Sequence, residues 1–61
     1  MGDIANVYFF KQYVAIMVPL DCSEMEQGEK DNQDFLFGLA EQMAKLDGLD
    51  VSGCEASIVW P

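Results

Sequence analysis

Eleven of the fifteen residues in VYFFKQYVAIMVPLD, positions 7 to 21, are apolar, and no Gly, Asn or Asp interrupts them before the last letter. Lys11, Gln12 and Pro19 break the run well short of the roughly 18 to 20 consecutive apolar residues a membrane-spanning helix needs, so no span is expected here, and the net charge of -8 argues against an anionic membrane as partner. Val14, Ile16 and Val18 are β-branched and alternate with Ala15 and Met17 before Pro19. That is the pattern of a strand ending near Leu20, because branched side chains suit a pleated surface and proline cannot donate to a ladder. One face then carries Val14, Ile16, Val18 and Leu20, and the other Tyr13, Ala15 and Met17. Both faces are apolar, so one is expected under a helix and the other under something the sequence does not name.

Val7 to Phe10 is read as more strand. A tight turn at Lys11-Gln12 is disfavoured, because two-residue hairpin loops require positive φ, which Gly, Asn and Asp tolerate best. The expectation is one long bent strand, or two nearly collinear segments with a bulge near Lys11, and a bent hairpin is the other arrangement. A strand of about 14 residues far exceeds the usual five or six. Its surplus length and its uncovered apolar groups point to a symmetric homodimer through Tyr8, Phe10, Tyr13 and Met17.

Residues 21–34, DCSEMEQGEKDNQD, contain six acids and one lysine, a net charge of -5. With Gly28 as the only turn former, this stretch reads as a solvated segment, its 21–31 part an acidic loop. Asp31 or Asn32 caps a helix running to about Leu46, with Gln33 and Asp34 in its first turn, where negative charge meets the helix dipole. Phe35, Leu36, Leu39, Ala40, Met43 and Leu46 form its apolar stripe, Glu41 and Lys45 pair four residues apart, and Gly48 stands at the expected stop. CEASIVW, residues 54–60, alternates as a closing strand. A strand-helix-strand order implies a right-handed crossover with the two strands parallel. The fold class is therefore α+β: a small single-layer β-sheet, built from a long N-terminal strand or bent hairpin plus a C-terminal strand, packed on one α-helix. The 61 residues read as a single domain, with Val14, Ile16, Val18, Phe35, Leu39, Met43, Ile58 and Trp60 as its core.

Eleven acids against three lysines give a net charge of -8, with no Arg and no His. Direct nucleic-acid binding needs a basic footprint that such a chain lacks. The absence of His also removes the usual general base near neutral pH and the commonest metal ligand. Cys22 and Cys54 have no His partner for nucleophilic chemistry and read as thiols of a reducing cytoplasm rather than as a disulfide framework. The acids from Asp21 onward miss calcium-loop spacing: counted from Asp21, the third and fifth positions are Ser23 and Met25. No enzyme activity, metal or cofactor is expected.

What remains is acidity beside a compact apolar body. Asp21, Glu24, Glu26, Glu29, Asp31 and Asp34 would offer carboxylates to the basic surface of a nucleic-acid-binding protein, with Met25 and Phe37 as nearby apolar contacts. In size and charge, though in no motif, the chain resembles the small acidic proteins that phages encode to block host nucleases or CRISPR complexes. The resemblance implies an inhibitor acting in a host cytoplasm as a nucleic-acid mimic. The alternative is a homodimeric structural module whose acidity serves solubility.

Overall fold

The computed structural model describes residues 3–61. Two strands, β1 (Ile4–Lys11) and β2 (Val14–Asp21), are followed by a short helix α1 (Gln27–Lys30), a longer helix α2 (Gln33–Leu46) and a last strand β3 (Glu55–Val59). The sheet order is β2-β1-β3, and β1 is antiparallel to both neighbours. The architecture is thus a small three-stranded sheet packed on one long helix, as the sequence implies.

The overlong strand is not formed. Lys11 pairs with Val14, so Gln12 and Tyr13 alone make a two-residue hairpin turn. Gln12 takes φ 53°, the left-handed region that hairpin turns demand and that glycine fills more readily. Eight residue pairs from Ile4↔Asp21 to Lys11↔Val14 follow from that turn. The poor turn residue is tolerated because a full antiparallel ladder outweighs roughly 1 to 2 kcal/mol of local strain.

The two strands joined through α2, β2 and β3, are parallel in direction, as expected, with a third strand between them. That third strand, β1, pairs with each, so neighbouring strands are antiparallel throughout. Cys22 and Cys54 consequently sit at opposite ends of β1: the Cys22 N–H donates to the Asp3 carbonyl at 2.7 Å, whereas Glu55, next to Cys54, pairs with Phe10. Both thiols are free, with Cys22 buried and Cys54 half-buried.

Helix α2 begins at its Asn32 cap, whose side-chain oxygen accepts from the Phe35 N–H at 3.2 Å. It ends in a Schellman motif: the Gly48 N–H donates to the Lys45 carbonyl and the Leu49 N–H to the Ala44 carbonyl, each at 2.9 Å, with Gly48 at φ 79°. Glu41 and Lys45 pair at 3.7 Å, as their spacing predicts. Among the described residues, no helix is long and apolar enough to cross a membrane.

The core differs from the expected set. It consists of Ala5, Val7, Phe9, Val18, Leu20, Cys22, Leu36, Ala40, Ala44 and Val51, with Ile16, Leu39 and Ile58 packed against it. Val14, Phe35, Met43 and Trp60, expected inside, are exposed. On α2 the buried line is Leu36, Ala40 and Ala44. The helix is therefore turned by roughly 75° from the orientation its bulkiest residues suggest, at 3.6 residues per turn. Two alanines on the inner line let the helix approach β2 closely, and the larger Phe35, Met43 and Leu46 are displaced to its flank.

Candidate partner-binding surface

Charge is concentrated at one end of the molecule. β2 ends beside the start of β1, and α1 lies at that end, where Lys30 Nζ reaches Asp3 Oδ1 at 3.4 Å. Asp3, Asp21, Glu24, Glu26, Glu29, Asp31 and Asp34 belong to this end and, with Lys30, carry net -6 of the chain's -8. The remaining acids, Glu41, Asp47, Asp50 and Glu55, share the rest of the molecule with Lys11 and Lys45. Lys45 and Lys11 both help to hold the Asp50 carboxyl low, after the Ser52 hydrogen bonds that dominate, which places both lysines toward the hairpin end.

The acidic segment is partly ordered, which corrects its reading as a loop. Residues 27–30 form α1, and the Glu26 N–H donates to Glu29 Oε1 at 3.2 Å, the back-reaching arm of a capping box. Asp31 Oδ1 accepts from Gln27 Nε2 at 3.0 Å. Asp21 Oδ1 accepts from the Ser23 N–H at 2.9 Å, and that backbone hydrogen bond holds its carboxyl below the ordinary aspartate range. Glu24, Glu26, Glu29, Asp31 and Asp34 are all exposed, and none is in an ion pair with a described lysine. Local hydrogen bonds thus hold the Asp21, Glu29 and Asp31 carboxylates in place, and the cluster stays exposed to solvent.

The apolar neighbours differ from those expected. Met25 and Phe37 are half-buried and pack against the core, so neither is a free contact group. Trp60 and Phe35, each 39% exposed, take their place. Trp60 lines a cleft of about 320 Å³ with Gln27, Lys30 and Asp31 of the α1 region. Its alternation with Ile58 suggested the core; only its position just past the end of β3 hinted otherwise.

A second surface is the sheet face turned away from α2. Tyr8 stands between Met17 and Ser57, Phe10 between Ala15 and Glu55, and Asn6 between Pro19 and Val59. Three of the four residues expected at a dimer interface, Tyr8, Phe10 and Met17, therefore share one face, and Tyr13 is fully exposed at the adjoining hairpin tip. Ile4 and Val59 complete the face. Alternation read back from Phe10 through Tyr8 and Asn6 to Ile4 carries that signal for β1.

Among the described residues, no three Cys, Asp or Glu side chains come together as metal ligands. Comparison with protein-family models, with curated proteins and with solved structures finds no match to this chain.

Proposed function

We propose that the protein is a non-enzymatic inhibitor that covers a basic, nucleic-acid-binding surface on another protein. Such a role places it in the cytoplasm of a host cell, in the manner of the small acidic phage proteins it resembles in size and charge. The observation that supports this reading most is the segregation of net -6 to one end of the molecule, on a capped helical segment beside an exposed tryptophan. Carboxylates held in fixed positions attract a basic groove and set its orientation, and a partly exposed aromatic beside them is the residue type that slows dissociation.

Capture from a host lysate, followed by competition, tests the proposal. A nucleic-acid-binding protein should be recovered, its binding should weaken steeply between about 50 and 200 mM salt, and it should be blocked when the target is first loaded with nucleic acid. Replacing Glu24, Glu26 and Glu29 together by Gln removes three charges while glutamine still serves the capping box. That variant should keep its circular dichroism spectrum, associate more slowly and lose inhibition. Full activity of the triple variant, or undiminished binding to the loaded target, sinks the proposal.

A further inference from the structure

We infer that the open sheet face is the interface of a symmetric homodimer, in which two copies stack face to face with their acidic ends pointing in opposite directions. This inference stands independently of the proposed inhibitor role. Ile4, Phe10, Met17 and Val59 on this face are 49%, 38%, 51% and 50% exposed. The opposite face of the same strands carries Ala5 and Val7 at 0%. By strand spacing and rise the open face measures roughly 14 by 26 Å. Two such faces with their side-chain relief remove on the order of 1,000 Å² from water, the lower bound for a specific interface.

Three features select a second copy stacked on the face. The sheet edges are poor sites for strand addition: β2 carries Pro19, which has no N–H to donate, and β3 is only five residues long. The middle of the face is uncharged. Its only acids are Asp21 and Glu55, at diagonally opposite corners, since Asp21 pairs with Ile4 on the β2 side and Glu55 with Phe10 on the β3 side.

That diagonal decides the geometry. An orthogonal stack would bring acid over acid at those corners. An aligned stack, the arrangement sheet twist favours, sets each acid over neutral residues of the partner. Of the two aligned stacks, a two-fold axis along the strands would place both net -6 ends together. An in-plane axis across the strands reverses one copy and separates those ends by about a strand length of 26 Å, beyond the Debye length of roughly 8 Å. The product is a helix-sheet-sheet-helix sandwich with an acidic pole at each end.

Sedimentation equilibrium of the full chain should give twice the 6.8 kDa monomer mass at micromolar concentration. Association should be no weaker at high salt, since salt only screens like charges here. Met17→Lys, beside Tyr8 on the β2 side of the face, should weaken dimerisation at least tenfold. Ser57→Arg, on the same face and away from the core, should do the same without touching the fold. Leu46→Lys on the helix flank should leave it unchanged. A nitroxide on Gln12→Cys in a Cys54→Ser background should report an inter-copy distance longer than roughly 25 Å, because the hairpin tips lie at opposite ends. A monomeric mass unchanged over a tenfold concentration range overturns the inference. So does a dimer lost only in Leu46→Lys, and a distance of roughly 15 Å overturns the end-reversed arrangement.

Discussion

The two faces of the sheet are drawn from alternate residues of the same three strands, and they differ less in composition than in what lies over them. Ala5, Val7, Phe9, Val18 and Leu20 are buried; Ile4, Tyr8, Phe10, Met17 and Val59 are as apolar, but only the first set meets α2 and the segments around it. Hydrophobicity alone therefore does not mark the inside of this protein. A 61-residue chain has material for one covering layer, and a domain of this size buries only roughly 60% of its unfolded surface. The uncovered face leaves apolar side chains in water, and the acidic end holds net -6 of the chain's -8.

The sharpest contrast between the faces is energetic. Leu36→Ala removes a fully buried side chain where α2 meets the sheet and should cost about 2 to 5 kcal/mol, a large part of the stability of a domain this small. Met17→Thr on the open face should change the stability of the dilute monomer by less than about 0.5 kcal/mol. Urea unfolding at low protein concentration measures both. Equal losses would show that the open face is covered within one chain.

The hairpin turn gives a smaller effect of opposite sign. It sets the register, and a slip of one residue would exchange the two faces of β2. Gln12→Gly relieves the positive φ and should stabilise the fold by about 0.5 to 1 kcal/mol after the entropic cost of glycine is counted. A lower melting temperature for this variant would mean that the turn geometry, and with it the register, is otherwise.

The smallest effect concerns the corner acid Asp21. Its carboxylate is stabilised by the Ser23 N–H, so its folded pKa lies below that of the unfolded chain. The associated stability is fully present above the unfolded pKa and is lost as pH falls through the folded one. Carboxyl titration by NMR should find Asp21 titrating lower in the native protein than in the denatured chain. Ser23→Pro, which removes the donor, should erase the difference. Because Asp21 is solvent-exposed, the contribution to overall stability is small.

Local chemistry made much of this protein legible in its sequence. The β-branched alternation from Val14 to Val18, the Asn32 cap, the Gly48 stop and the Glu41–Lys45 pair each depend on neighbours within a few residues, and each is found as read. The clustering of acids was equally plain, because charge needs no partner to be counted. Three features were settled only by contacts between segments distant in the chain. Gln12-Tyr13 turns because eight residue pairs outweigh one unfavourable φ, and β1 enters between β2 and β3 because pairing on both sides satisfies its backbone groups. Helix α2 presents Ala40 and Ala44 inward rather than Phe35 and Met43, because close approach to β2 depends on the volume left between two surfaces and not on hydrophobicity along one of them.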